Sequence, residues 1–129
     1  MLTLYQFSSS PFTEKVSRIL SFKGLDYNIE EVNRLKTKQY RDVSPFAKFP
    51  AIDIDGNKFC DSTDIAYALD EAFPEKRIIP EDDLLRSKVH IMEDWADESL
   101  YFYEMTMRVS WKHNAKKMLP KIKKFPLKN

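Results

Sequence analysis

Glycine is nearly missing from this chain, with two in 129 residues against seven prolines. A loop that cradles phosphate needs several glycines, because its backbone must approach the ligand closely at positive φ. Glycine-rich mononucleotide and dinucleotide sites are therefore excluded. Histidine and cysteine are as scarce: His90, His113 and Cys60 cannot assemble the four-ligand sets that hold structural zinc. A single cysteine closes no intrachain disulfide and fits a reducing compartment, so a cytoplasmic location is expected. No apolar run approaches the roughly 18 residues of a membrane helix. Nor does the N-terminus carry a cationic segment followed by an apolar run, so no secretory leader is expected. Neither sign of charge dominates: 21 basic and 20 acidic side chains leave +1, which points away from nucleic acid and anionic membrane as partners.

What is present suits a soluble chain of one domain, or one domain and part of another. Leu2-Thr3-Leu4-Tyr5-Gln6-Phe7 alternates with the period of a strand. After three serines the apolar spacing becomes helical through Val16, Ile19 and Leu20, and Lys23-Gly24 stops it. Asp26 to Val32 reads as a second strand, and Asn33 to Asp42 as a loop with a short helix. Ala51 to Asp55 and Lys58-Phe59-Cys60 flank Asp55-Gly56-Asn57, a strong hairpin signal. Asp61-Ser62-Thr63-Asp64 then caps a helix whose apolar face holds Ile65, Ala66, Leu69 and Ala72. The order is a βαβ unit followed by a ββα unit.

A charged linker spans Glu75 to Asp83, and from Leu84 the pattern is one long helix. Leu85, Val89, Met92, Ala96, Leu100, Tyr103 and Met107 recur on one face, widened by Trp95, Phe102 and Val109. Such a face must bury itself on the first domain, on a second copy or on further sequence. Beyond His113 the lysines Lys116, Lys117, Lys121, Lys123, Lys124 and Lys128, with the breakers Pro120 and Pro126, are expected to form a frayed, solvated tail. Cys60, in a strand, is expected to be a small buried apolar group.

The segment of most chemical interest is Ser10-Pro11-Phe12-Thr13, between the first strand and the first helix. Proline just inside a helix costs nothing, since the amide it lacks would have no partner there. The serines either cap that helix or present a hydroxyl at its positive end, where an anion such as a thiolate is stabilised.

In this order of elements, Ser-Pro-Phe-Thr stands where glutaredoxins carry Cys-Pro-x-Cys, and the chain resembles a thioredoxin-like α/β fold. Phe49-Pro50-Ala51 looks like the cis proline of those folds. Asp61-Ser62 and the tract Leu69 to Pro74, continuing to Ile79-Pro80, resemble the glutathione transferase superfamily. The tau class (serine-type) and the omega class (cysteine-type) are the nearest in motif. The resemblance implies a glutathione-binding domain over residues 1–79 and the start of an all-helical C-terminal domain over 84–129, incomplete beside the family's several helices.

It also implies a set of roles. Ser10 would donate a hydrogen bond to the glutathione thiolate, with Ser8 and Ser9 as alternatives, and Phe12 would line the same turn. A cysteine there would permit mixed-disulfide chemistry, which a serine does not. Ser62 would hold the γ-glutamyl carboxylate, and Asp61 its ammonium. The backbone of Phe49, before Pro50, would pair with the cysteinyl amide. Lys48, Lys36 or Lys38 would meet the glycyl carboxylate. Tyr101, Phe102, Met105 and Trp111 would wall an electrophile pocket, and Phe46 resembles an aromatic key between subunits of a homodimer. No metal is implied. The expected activity is thiolate addition to small electrophiles in detoxification. The alternatives are a glutathione-dependent isomerase or peroxidase and a non-catalytic scaffold for a protein partner.

Overall fold

The structure, a computed structural model, describes residues 1–122. Alternation in the first segment buries Leu2, Leu4 and Gln6 and forms β1 (Leu2–Gln6). Helix α1 (Pro11–Lys23) follows and ends where Gly24 takes φ 72°, a left-handed conformation that costs other residues dearly. Strand β2 (Asn28–Glu31) pairs parallel with β1. A short 3-10 turn (Thr37–Tyr40) leads towards β3 (Ala51–Ile54) and β4 (Asn57–Cys60), which form a hairpin. Asp55 (φ 51°) and Gly56 (φ 93°) make its turn, as strand twist favours. Helix α2 (Ser62–Ala72) completes the unit. Sheet order is β2-β1-β3-β4, and the fold is thioredoxin-like.

The register places the candidate site. Tyr5 faces Glu30 on one side and Ala51 on the other, and Ala51 faces Cys60. One row therefore crosses all four strands near one end of the sheet. Just beyond it lie the turn after β1, the residues after β2, Phe49-Pro50 before β3, and Asp61-Ser62 after β4. Four segments far apart in sequence thus open on the same end.

The core beneath that end joins Leu2, Leu4, Ile52 and Ile54 of the sheet to Val16 and Leu20 of α1 and to Ile65, Ala68 and Leu69 of α2. Each fully buried leucine contributes about 1.5–3 kcal/mol. Lys23 and Asp70 form a buried ion pair at the far end of the helices, with Nζ to Oδ1 2.6 Å. Lys23 also donates to the carbonyls of Phe73 and Lys76, both at 2.9 Å. Asp70 accepts from the amides of Ile78 (2.9 Å) and Ile79 (3.0 Å). Burial alone would push its carboxyl up. The Lys23 ammonium and the two amides outweigh that and hold it below the usual carboxylate range.

Several expectations are corrected. Ala68, not Ala72, joins Ile65 and Leu69 on the buried face of α2, while Ala72 is exposed. The second strand covers Asn28–Glu31 instead of Asp26 to Val32, and as an edge strand it is exposed along its whole length, Ile29 included. Cys60 is half-buried rather than buried.

The chain divides at Pro80 into two compact units. In the second, Asp82 caps α3 (Asp83–Trp95) by accepting from the Leu85 amide at 2.8 Å. The helix runs through a π-helical turn (Ala96–Leu100) into α4 (Tyr101–Ser110), and Trp111, at ψ 121°, breaks it. Helix α5 (Lys112–Ile122) follows, where a frayed tail was expected, and Pro120 does not end it. Lys123, Lys124, Pro126 and Lys128 lie outside the described residues. The expected apolar stripe stays exposed, with Leu85, Met92, Trp95, Tyr103 and Met107 among its uncovered members.

Candidate functional site

The turn after β1 is closed by the Ser10 amide, which donates to the Phe7 carbonyl at 2.9 Å. Ser10 is the N-cap of α1 in extended conformation (φ −84°, ψ 128°). Its carbonyl accepts from the Glu14 amide at 3.1 Å, while its hydroxyl makes no capping bond. The turn is gripped from the β2 side. Glu31 accepts from the Ser8 amide (2.9 Å) and from Gln6 Nε2 (3.2 Å). Arg34 donates to Ser9 Oγ at 2.9 Å, and its guanidinium lies 4.0 Å over the Phe7 ring. The three serines differ here: the Ser8 amide and the Ser9 hydroxyl hold the turn, and Ser10, favoured by its place before Pro11, starts the helix. Phe12 sits half-buried in its first turn.

Opposite stands the Phe49-Pro50 peptide, which is cis. The buried Ser44 hydroxyl donates to the Lys48 carbonyl at 2.7 Å and braces this segment. The Phe49 ring packs edge-on against Phe7 at 5.2 Å and Tyr40 at 6.0 Å, and Tyr40 packs on Tyr5 at 6.1 Å. An aromatic chain therefore links the serine turn to the proline segment.

The third segment is Asp61-Ser62. Asp61 adopts φ 102°, a strained value for a residue with a side chain, worth about 1–3 kcal/mol. It caps α2 by accepting from the Thr63 amide at 3.1 Å, and the Lys48 ammonium lies 3.9 Å from its other oxygen. Ser62 is buried. Lys15 Nζ donates to Ser62 Oγ and Thr63 Oγ1, both at 3.3 Å. Hydroxyls, a helix N-terminus and an ammonium converge there on the kind of position an anion occupies. Sequence reasoning missed Lys15, Glu31 and Arg34. Lys15 carries one weak signal, its place one turn into the helix that follows the serines. Glu31 ends a strand and Arg34 follows it, with no motif of their own.

Among the described residues, no group of three or more His, Cys, Asp or Glu side chains is placed to hold a metal ion. Tyr101, Phe102, Met105 and Trp111 belong to α4 and its end in the second unit. Tyr101 and Phe102 meet edge-on at 5.5 Å.

A family model described as "Glutathione S-transferase, N-terminal domain" matches residues 4–77. The chain belongs to this family. Among curated relatives, a probable maleylacetoacetate isomerase of Drosophila melanogaster is 34% identical over 93 residues, covering 67% of this chain and 38% of the relative. Glutathione S-transferase Z1 of Arabidopsis thaliana is 36% identical over 86 residues, covering 63% and 38%. A Burkholderia glutathione transferase homologue, solved with bound glutathione, superposes with a TM-score of 0.63 at 26% identity, covering 73% of this chain and 52% of that one. The chain thus spans well under half the length of these two curated relatives. Its described residues contain no helix long and apolar enough to cross a membrane.

Proposed function

We propose that the chain binds glutathione at this end of the sheet, activates its thiol, and adds the thiolate to small electrophiles. The observation that carries the reading is Ser10. It is the N-cap of α1, its hydroxyl makes no capping bond, and the cis Phe49-Pro50 segment opens on the same sheet end. A free thiol has a pKa of about 8.5, so only a few per cent is thiolate at neutral pH. Lowering that value by two units takes about 2.7 kcal/mol. A hydroxyl bonding to the anion supplies about 1.5–3 kcal/mol, and a helix N-terminus about 0.3–2 kcal/mol. The two together suffice. Ser10 acts as donor and never as nucleophile.

The rest of the peptide follows the four segments. Ser62, with the start of α2, takes the γ-glutamyl carboxylate, and Asp61 takes the ammonium. The Phe49 backbone pairs with the cysteinyl amide as an added strand would. Phe12 lines the thiol end, and Lys48, Lys36 or Lys38 takes the glycyl carboxylate. The protein acts in detoxification, in the cytoplasm, as a homodimer.

A second reading has its own support, because maleylacetoacetate isomerases are among the relatives. The same thiolate adds to a conjugated double bond, the resulting single bond rotates, and elimination returns the thiol with the geometry changed. Both readings use one site.

The test is calorimetric titration of glutathione into the chain, with Ser62→Ala alongside. Saturable binding that weakens in the variant supports the site. A folded chain that takes no glutathione sinks both readings and leaves a scaffold that binds a protein partner. Given binding, conjugation of a generic electrophile at a rate dependent on Ser10 separates the enzyme from that scaffold.

A further inference from the structure

We propose that Arg34 is a positioning residue for the thiolate, fixing the turn that carries Ser10 and adding a permanent positive charge beside it. This rests on the glutathione reading above. Parallel pairing brings the ends of β1 and β2 together, and Arg34 stands three residues beyond the last residue of β2. Two contacts commit its side chain to the neighbouring turn: the bond to Ser9 Oγ at 2.9 Å and the stack at 4.0 Å over Phe7. Both partners belong to the segment that the Ser10 amide closes onto the Phe7 carbonyl. Ser10 cannot swing away while both contacts hold.

The stack also reaches across the site. Phe7 meets Phe49 at 5.2 Å, so the guanidinium on Phe7 bears on the spacing between the serine turn and the proline segment. An extended peptide thiol would lie between those two backbones. A guanidinium stays charged throughout the range in which a thiol titrates, and its planar fork both stacks and donates, which an ammonium does not do in one place. Other charges around the site include Glu31 on β2, Lys15 on α1, Lys36 and Lys38 after β2, Lys48 before β3 and Asp61 before α2. All are retained in the variants, so the comparison isolates Arg34.

The test is a pH titration of the thiolate absorbance of glutathione bound to the whole chain, in wild type, Arg34→Met and Arg34→Lys. Binding is measured calorimetrically for each. Arg34→Met should raise the apparent pKa of the bound thiol by about one unit, a tenfold smaller thiolate-to-thiol ratio, with at most a few-fold loss of affinity. Arg34→Lys keeps the charge without the fork and should recover part of that shift. It also serves as the readout if the methionine variant does not fold: a titration indistinguishable from wild type then overturns the inference. So does an unmoved titration in an Arg34→Met chain that binds glutathione. Weakened binding alone has the same force, for it would make Arg34 a contact for the glycyl carboxylate. A wild-type chain that binds no glutathione overturns the reading and this inference together.

Discussion

Asp70 and Ser10 illustrate how differently two polar residues can be read from text. Nothing in the tract around Asp70 shows that its carboxylate is buried against Lys23 and two backbone amides. The pairing joins residues 47 positions apart, and only the packing of α1 on α2 creates it. Asp70→Asn leaves a buried ammonium without its counter-charge and should cost about 3–5 kcal/mol, read by urea unfolding at neutral pH. The sign of the pH dependence follows from the lowered carboxyl. The contribution is complete above the unfolded value of about 3.9 and is lost as pH falls through the lower folded value. Wild type should therefore lose stability below about pH 4, and the variant should lose less over that range. For Ser10 the motif favoured the serine before Pro11 but kept Ser8 and Ser9 as alternatives. The geometry separates Ser9 from Ser10, because the Ser9 hydroxyl is engaged by Arg34 and the Ser10 hydroxyl makes no capping bond. In a thiol titration of bound glutathione, Ser10→Ala should raise the pKa by about one to two units, the share of a charge-assisted hydrogen bond. Ser9→Ala should raise it by less, and equal shifts would remove the distinction.

At the scale of elements, local signals served well where local physics decides. The proline start and glycine stop of α1 stand where the pattern put them, as does the Asp55-Gly56 hairpin. Gly24 at φ 72° closes the helix, with its amide on the Ser21 carbonyl at 3.1 Å and that of Leu25 on the Leu20 carbonyl at 3.0 Å. Gly24→Ala should cost about 1–2 kcal/mol, visible as a lower thermal midpoint with no change in bound-thiol titration. Where tertiary placement decides, the text was a poorer guide. The second strand was legible as a strand, but not its place at the sheet edge, which leaves Ile29 exposed. On α2, burial fell to Ala68 instead of Ala72, and no spacing rule prefers one over the other. The long helix reads as uninterrupted because the apolar spacing continues through Ala96 and Leu100, and nothing in it marks the π-helical turn there.

For the whole molecule, the fold class was legible because strand and helix periods alternate clearly. Of the candidate site, the sequence offered only the residues that a family motif names. Lys15, Glu31 and Arg34 escaped because their roles depend on the register that sets four strand ends side by side. A ligand that binds only the folded chain stabilises it, by about 2.7 kcal/mol at a hundredfold excess over Kd. Glutathione should therefore raise the thermal midpoint of the wild-type chain and raise that of Ser62→Ala less. The exposed stripe of Leu85, Met92, Trp95 and Tyr103 favours self-association. Sedimentation should show a concentration-dependent dimer, and a monomer at every concentration would refute it.

The Asp70 carboxylate has one more consequence, for the short stretch that leads out of the first unit. Ile78 and Ile79 lie outside helix and strand, yet both amides are held by Asp70 at the bottom of the helix pair. Amide hydrogens in an irregular segment ordinarily exchange with solvent deuterium almost at once. These two can do so only when the Asp70 carboxylate releases them, so their protection should exceed that of the linker around them.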